Sequence, residues 1–129
     1  MPFWVPVSAV ITIHDRQIRR HGGASGLRDM GLLEGACAPP LNLAAYGEPS
    51  LHELATAYAF GIAKAHAFVD GNKRTAFVTA GAFLRMNGIG LRPDVREGLQ
   101  MMEGLADGSV SEEVLTAWFE RVGVALGDA

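Results

Sequence analysis

The sequence predicts an all-α protein, a single compact bundle of about six helices that fills residues 1–129 as one domain, with two very short strands. Hydrophobic residues make up 49% of the chain and charged residues only 19%, which is typical of a folded domain with a substantial core. Apolar residues also recur at helical spacing along most of the chain, between residues that start or stop helices.

The first third of the chain is predicted to hold a strand and two helices. Residues 3–5 are β-prone and lie between two prolines, which favours a small edge strand. A first helix is predicted over residues 8–21, and we interpret His14 and His21 as surface or helix-end residues without a catalytic role. A second helix is predicted over residues 29–38, because the two prolines that follow cannot continue it.

The middle of the chain contains the clearest helix signals. Ser50 and Glu53 form a capping-box pair that starts a third helix, after a loop over residues 42–50. Apolar residues at helical spacing form one stripe along this helix: Leu51, Leu54, Ala55, Tyr58 and Ile62. A fourth helix is predicted over residues 72–87, and it is apolar nearly all round, as expected of a central buried helix.

The last third is predicted to add a strand and two helices. Residues 89–91 favour a short strand that pairs with residues 4–5. A fifth helix is predicted over residues 94–106 and a sixth over residues 111–122. The residues predicted to face the core from the sixth helix are Val114, Leu115, Trp118, Phe119 and Val122.

Charge, cysteine content and the N-terminal sequence limit the class of protein. The net charge of −3 argues against general nucleic-acid binding, so no direct nucleic-acid partner is expected. Cys37 is alone, which excludes a disulfide or a cysteine metal site within one chain and favours a buried, inert thiol. The N-terminus lacks a basic region and no apolar run is long enough to span a bilayer, so we expect a cytoplasmic protein without a membrane partner.

The stretch HAFVDGNKRT, which begins at His66, carries most of the chemistry. It is a polar loop that opens a helix, and the free N–H groups and dipole of a helix start favour an anion. Gly71 lets the backbone turn or approach a ligand closely, while Lys73 and Arg74 add two cations suited to phosphate. Asp70 offers hard oxygens that suit Mg²⁺, and the imidazole of His66 can take a proton from a hydroxyl. Together these groups indicate phosphate transfer to a hydroxyl.

Several of these residues have plainer alternatives. Asp70 or Asn72 could serve only as an N-cap of the following helix, and Phe68 is assigned to the core, where it would pin the loop. Lys73 and Arg74 could form a solvated pair at the helix start. Cations are unfavourable there unless an anion is present, which argues for phosphate.

Three other kinds of site lack their sequence signals. A metal site built from His66 and Asp70 with His52 or His14 has no HExxH or similar ligand spacing. Acyl transfer by a Ser/His/Asp group lacks a nucleophile elbow. A Walker A loop is also absent, so a nucleotide enzyme would be of another kind.

The same stretch resembles the signature of the Fic/Doc superfamily, His-x-Phe-x-Asp/Glu-Gly/Ala-Asn-x-Arg. The matching residues are His66, Phe68, Asp70, Gly71, Asn72 and Arg74. The adenylyl-transferring Fic branch usually has Gly before that Arg and a second Arg three residues after it, where this chain has Lys73 and Phe77. Lys is typical of the Doc branch, the toxin half of a toxin–antitoxin pair, and residues 21–34 also resemble the N-terminal region of Doc. The resemblance spans about residues 14–88.

The resemblance implies a Fic/Doc-like helical domain and a Doc-type toxin that acts as a protein serine/threonine kinase. It implies transfer of the ATP γ-phosphate, with Mg²⁺, to a threonine or serine hydroxyl of elongation factor Tu, which would block translation. His66 would activate the hydroxyl and Asp70 would hold Mg²⁺. The implied catalytic residues are His66, Asp70, Lys73 and Arg74. The implied nucleotide-binding residues are Gly71, Asn72, Lys73 and Arg74.

Two rival functions stay open: adenylyl transfer as in the Fic branch, and a binding module that keeps the fold without the reaction. The chain has no clear inhibitory Ser/Thr-x-x-x-Glu helix, so we expect control by a small antitoxin whose C-terminal segment folds on binding. The groove of this protein that binds the antitoxin segment is predicted along the exposed sides of the first helices and beside the loop after Pro40. By resemblance, residues around Tyr46 border the active site, unless this loop is a mere connector.

Overall fold

The computed structural model describes residues 1–92 and 94–127, which form six helices and two short strands. The helices are α1 (Val7–His21), α2 (Met30–Tyr46), α3 (Leu51–Ala65), α4 (Asn72–Met86), α5 (Val95–Asp107) and α6 (Glu112–Val122). The strands are β1 (Ile89–Leu91), between α4 and α5, and β2 (Gly123–Ala125), directly after α6. The prediction of a helical bundle with two very short strands is confirmed.

The hydrophobic core is built around α3 and α4. α3 packs against α2, α4, α5 and α6, and α4 packs in addition against α1 and β1. Buried side chains from all six helices meet in this core, and among the largest are Tyr58, Phe83, Trp118 and Phe119. Phe68, from the loop between α3 and α4, joins the same cluster as predicted, and burial of such a ring contributes about 2 kcal/mol.

α2 continues through Pro39 and Pro40, although the sequence predicts its end before them. Proline costs about 3 kcal/mol in a helix interior, because it lacks an N–H and its ring crowds the carbonyl four residues earlier. Packing outweighs that cost: Pro40 is buried, and the freed carbonyl of Ala36 lies against Gly61 of α3, where any side chain would collide with it. The prediction of a helix end before these prolines, followed by a loop from Asn42, is therefore wrong.

β1 pairs antiparallel with β2, with Gly90 opposite Val124. The sequence predicts a strand over residues 3–5 as the partner of β1, and this prediction is wrong, because those residues form no strand. The side-chain amide of Asn87 accepts a hydrogen bond from the N–H of Phe3 at 2.8 Å and donates one to the carbonyl of Phe3 at 2.9 Å. This amide occupies the backbone groups that a partner strand would have used.

Three helices begin where the sequence predicts them to begin, each at a side-chain cap. Ser50 caps α3 and Glu53 bonds back to the Ser50 N–H, so the predicted capping box is present. Asp94 caps α5 and Ser111 caps α6, each by accepting a hydrogen bond from a backbone N–H. Val114 in the first turn of α6 is 50% exposed, so the prediction that it faces the core is wrong.

Two further predictions concern the thiol of Cys37 and helices that could cross a membrane. Cys37 is buried, and burial raises the pKa of its thiol to about 11, which agrees with the inert role predicted for it. Among the described helices, none combines the length and the apolar character that a bilayer crossing requires.

Candidate active site

The candidate site begins where α3 ends. His66 directly follows α3 and adopts left-handed backbone angles, φ 50° and ψ 43°. Within the described ranges, every other residue with a positive φ is a glycine. The conformation costs on the order of 1 kcal/mol for a residue with a Cβ, and it is common at helix ends and functional sites. The turn ends the helix and leaves the imidazole of His66 exposed.

The loop after α3 is anchored to the segment between α1 and α2. A short antiparallel bridge joins Leu27 to Phe68, and the N–H of Val69 donates to the carbonyl of Gly26 at 3.1 Å. Phe68 is 2% exposed, whereas Val69 is exposed. Phe68 thus fixes the loop in the core, and residues 22–29 lie directly beside the loop.

Asn72 clamps this loop from the inside. Its Oδ1 accepts a hydrogen bond from the N–H of Phe68, and its Nδ2 donates to the carbonyl of the same residue, both at 3.0 Å. These two bonds close the loop onto the first residue of α4. Because the side chain points back into the loop, the alternative in which Asn72 caps α4 is wrong, and its backbone N–H remains at the helix start.

The carboxylate of Asp70 is exposed and is held by two backbone groups. Its Oδ1 accepts the N–H of Gly71 at 2.8 Å, and its Oδ2 accepts the N–H of Ala24 at 3.3 Å. Gly23 approaches so closely that a Cβ there would stand 2.7 Å from Oδ2. Neither bond caps α4, so the alternative in which Asp70 is only a helix cap is wrong.

α4 begins without a side-chain cap. Its N-cap is Gly71, with a φ of 76°, and no acidic residue lies in the first turn. Lys73 and Arg74 occupy that turn instead. The first N–H groups of a helix have no intrahelical acceptors and carry the positive end of the dipole. The helix start and the two cations therefore form an anion-binding arrangement.

These groups line one cleft of about 420 Å³. Its residues from the loop and the start of α4 are His66, Val69, Asp70, Gly71, Asn72, Lys73 and Arg74. All six residues predicted to form the site are therefore brought together. The remaining walls come from the end of α1 and from α5, and their residues are His21, Gly22, Leu99 and Glu103.

Sequence reasoning placed none of these four wall residues at the site. Leu99 and Glu103 belong to α5, which packs against α4, and no local pattern marks them. His21 is exposed at the end of α1 as predicted, but it also lines the cleft; its place before a glycine pair is the signal that could have found it. Desolvation and the positive charges of Arg74 and Arg20 lower the pKa of His21, which favours the neutral imidazole.

Lys73 has acidic neighbours on α5. Glu103 lines the cleft together with it. Hydrogen bonds from Ser109 and the positive charge of Lys73 lower the pKa of Asp107, at the end of the same helix. Part of the countercharge of Lys73 therefore comes from α5, whereas the positive charge of Arg74 acts on His21.

His14 is buried, with 1% of its surface exposed, so the prediction of a surface position is wrong. Its Nε2 lies 2.7 Å from the backbone carbonyl oxygen of Asp70, and its ring stacks on Phe68 with centroids 3.9 Å apart. The reason is tertiary: α1 packs against α4, which turns this face of α1 towards the loop.

The site does not include Tyr46. This residue ends α2 and is 91% exposed beside a separate, mainly apolar groove of about 600 Å³. The groove reaches Glu53 in the first turn of α3, whereas His66 follows the last turn. Since a helix of 15 residues spans about 22 Å, the prediction that residues around Tyr46 border the active site is wrong. The segment that borders it is 22–29.

The donor groups of the cleft fit one Mg²⁺ that is held together with phosphate. Within the described residues, no group of three or more His, Cys, Asp or Glu side chains could hold a metal. The alternative of a metal site from His66 and Asp70 with His52 or His14 is therefore wrong. Mg²⁺ usually takes one or two carboxylates and completes its shell with phosphate and water oxygens, and the exposed carboxylate of Asp70 matches that pattern.

The chain is similar to known proteins over the part that contains this loop. A family model described as the Fic/DOC family matches residues 4–84; Leu99 and Glu103 lie beyond that match. The chain is 37% identical to Protein kinase doc of Escherichia phage P1 over 103 residues, which cover 79% of this chain and 81% of that protein. It is 45% identical to Toxin Doc of Mycolicibacterium smegmatis over 76 residues, which cover 57% of this chain and 58% of that protein.

Proposed function

The chain belongs to the Fic/DOC family, and we propose that it is the toxin of a toxin–antitoxin pair and acts as a protein serine/threonine kinase. It transfers the γ-phosphate of ATP to a threonine or serine hydroxyl of another protein. Elongation factor Tu is the proposed substrate, and its modification would block translation. The names of the relatives, a protein kinase and a toxin, support the assignment as a toxin and a kinase, while the substrate rests on the resemblance to the Doc branch.

The observation that carries the proposal is Lys73 beside Arg74 in the first turn of an uncapped helix that opens into the cleft. Two cations at the positive end of a helix are unfavourable without an anion. A triphosphate offers charged oxygens to both side chains and to the helix N–H groups. Lysine at this position also differs from the glycine that is usual in the adenylyl-transferring branch.

The proposed mechanism assigns the proton transfer to His66. Its exposed imidazole, held at the end of α3 by a left-handed turn, accepts the proton of the substrate hydroxyl as that oxygen attacks the γ-phosphorus. The bond from the γ-phosphorus to the β,γ-bridging oxygen breaks, and ADP leaves with that oxygen and its electron pair. A general base of this kind contributes roughly 10²–10⁴-fold to the rate. The bridge between Leu27 and Phe68 keeps the loop that follows His66 in place.

The phosphate oxygens are bound by Lys73, Arg74 and the first N–H groups of α4, including that of Asn72. These groups stabilise the charge that spreads over the transferred phosphoryl group. The guanidinium of Arg74 offers a planar fork to two oxygens, and the absence of a side chain at Gly71 allows close approach. Asp70 would hold Mg²⁺, which when bound neutralises phosphate charge.

ATP labelled in different phosphates distinguishes this reaction from its alternatives. The protein is incubated with Mg²⁺, purified elongation factor Tu and ATP that carries the label in either the γ- or the α-phosphate, with His66→Ala as the matched control. We expect γ-label on a threonine or serine, and none with the control. Label from the α-phosphate would establish adenylyl transfer, and no label from either position, with purified elongation factor Tu or with cell extract, would leave a binding module.

A parallel incubation with cell extract tests the substrate separately from the reaction. If γ-label appears only on another protein, elongation factor Tu is the wrong substrate while the kinase assignment stands. If neither incubation yields γ-label, the kinase assignment itself is contradicted.

We further propose that a small antitoxin holds the toxin silent through a C-terminal segment that folds on binding. The support is the exposed apolar surface at the end of α2, where Leu41, Leu43 and Tyr46 are exposed near the groove of about 600 Å³. An amphipathic segment could bury its apolar face there. Because ordering the segment costs part of the interaction energy, a large contact surface is expected.

Co-expression tests the antitoxin. The product of the neighbouring small reading frame should restore growth and purify together with this protein. Leu43→Glu in the groove should weaken the complex, whereas Leu32→Glu, also exposed but near the start of α2, is the matched control. A protein that is toxic alone, and that no neighbouring gene product relieves or binds, would contradict the proposal.

A further inference from the structure

His14 contacts two residues of the loop that carries the proposed site and lies beside a third. Its side chain is buried in α1, and its Nε2 is 2.7 Å from the carbonyl oxygen of Asp70. The ring stacks on Phe68 with centroids 3.9 Å apart and planes inclined by 9°. A Cβ placed on Gly71 would stand 3.7 Å from both Nε2 and Cδ2 of His14, so the ring also bounds the N-cap of α4.

The contact with the carbonyl defines which ring nitrogen carries a proton. A carbonyl oxygen can only accept a hydrogen bond, so Nε2 of His14 must donate to Asp70. The neutral ring is then the Nε2–H tautomer. Its Nδ1 lies 3.9 Å from Oδ1 of Asp15, which is beyond hydrogen-bond range.

This hydrogen bond controls the orientation of one peptide unit. The peptide between Asp70 and Gly71 is planar, so a bond that holds its carbonyl oxygen also sets the direction of the Gly71 N–H. That N–H donates to Oδ1 of Asp70 at 2.8 Å. By fixing the carbonyl oxygen, the hydrogen bond from His14 therefore also sets the position of the Asp70 carboxylate.

We propose that His14 is a positioning residue for the carboxylate of Asp70. The inference rests on the proposed function, because it places His14 behind the carboxylate that would hold Mg²⁺ with ATP. His14 does not line the cleft and acts only through the peptide between Asp70 and Gly71. Mutation of a group that hydrogen-bonds to a metal ligand typically lowers metal affinity or activity by about 10–100-fold.

Two substitutions distinguish the hydrogen bond from the packing of the ring. His14→Phe keeps a flat ring against Phe68 but removes the donor, whereas His14→Gln removes the ring and keeps an amide N–H at similar reach. Tyr58→Phe is the matched control, because it also removes a buried side-chain hydrogen bond to the backbone, that of Val5, away from the cleft.

Two quantities are measured for each variant: the Mg²⁺ concentration for half-maximal ATP binding, and the rate of amide hydrogen exchange at Gly71 in the free protein. His14→Phe should raise the Mg²⁺ concentration by about 10–100-fold and accelerate the exchange, and His14→Gln should restore most of both. Tyr58→Phe should change neither quantity. In the parent protein, long-range proton–nitrogen NMR should show the Nε2–H tautomer of His14.

Parent-like Mg²⁺ dependence and Gly71 exchange in His14→Phe would overturn the proposal. It is also overturned if all three variants change both quantities in proportion to their loss of stability, or if NMR shows the Nδ1–H tautomer. Should His14→Phe not fold, parent-like values in His14→Gln together with the Nε2–H tautomer support the proposal, and other values overturn it. If the parent binds no ATP, the proposed function fails, while Gly71 exchange still decides whether His14 holds the peptide.

Discussion

α3 and α4 are packed neighbours of equal length, 15 residues each, yet they begin in opposite ways. α3 starts with the capping box of Ser50 and Glu53, which also places an acidic residue in its first turn. α4 starts at Gly71 with no side-chain cap and no acidic residue, and its first turn carries Lys73 and Arg74. Because the first arrangement stabilises a helix and the second does not, we infer that one start serves stability and the other ligand binding.

The start of α4 is held by hydrogen bonds that do not use the N–H donors of its first turn. Asn72 bonds to both backbone groups of Phe68, and His14 bonds to the carbonyl of Asp70. These bonds order the loop without occupying the free N–H groups of the helix. The comparison teaches that a helix start can be ordered by its neighbours and still remain open to an anion.

Arg74→Glu would make the start of α4 resemble that of α3, and it should have the largest effect. Removing a cation from the phosphate site and adding a repulsive charge should abolish ATP binding and transfer. An acidic residue in the first turn interacts favourably with the helix dipole, so the free energy of unfolding should rise by about 0.3–1 kcal/mol. Calorimetric titration with ATP and thermal unfolding measure the two changes. Arg74→Gln is the neutral control, and unchanged ATP affinity in Arg74→Glu would refute the anion site.

Lys73→Gly removes one positive charge from the same helix start without adding a negative one. Transfer of γ-label should fall by at least about 100-fold, and any residual transfer should shift towards α-label, since glycine is usual here in the adenylyl-transferring branch. Lys64→Gly in the last turn of α3 is the matched control, because glycine has a similar backbone cost of about 1 kcal/mol there. Phosphorylation by Lys73→Gly at the parent rate would show that Lys73 takes no part in the reaction.

Ser50→Ala perturbs the other helix start. It should lower the free energy of unfolding by about 1 kcal/mol, because the first turn of α3 loses its cap. Kinase activity per folded molecule should stay at the parent value. Urea unfolding and initial rates at a temperature where both proteins are folded measure these quantities. Ser50→Asp, which can still cap the helix, is the control; a loss of activity in Ser50→Ala would contradict the division between the two starts.

The smallest expected effect is on the titration of His21. Desolvation and the charges of Arg74 and Arg20 lower its pKa from the ordinary value of 6.5. The folded state therefore resists protonation, and the contribution of His21 to stability declines as the pH falls through that ordinary value. Arg74→Gln should raise the pKa of His21 towards its ordinary value and reduce this acid sensitivity, as followed by NMR titration. An unchanged pKa would mean that Arg74 does not act on His21 across the cleft.

Short-range features of the molecule were predictable from the sequence. The six residues of the candidate site come together because they lie within nine positions, from His66 to Arg74, on one loop and one helix start. The caps at Ser50, Asp94 and Ser111 were predictable for the same reason, since a cap depends on residues two or three positions apart.

Only the tertiary structure decided the features that join distant parts of the chain. Pro40 stays helical because α2 packs closely on α3, and β1 pairs with β2 rather than with the N-terminus. His14 is buried because α1 packs on α4, and α5 brings Leu99 and Glu103 to the cleft. These outcomes depend on which apolar surfaces are buried together and on the entropy of closing the intervening chain, and no local spacing of residues encodes either quantity.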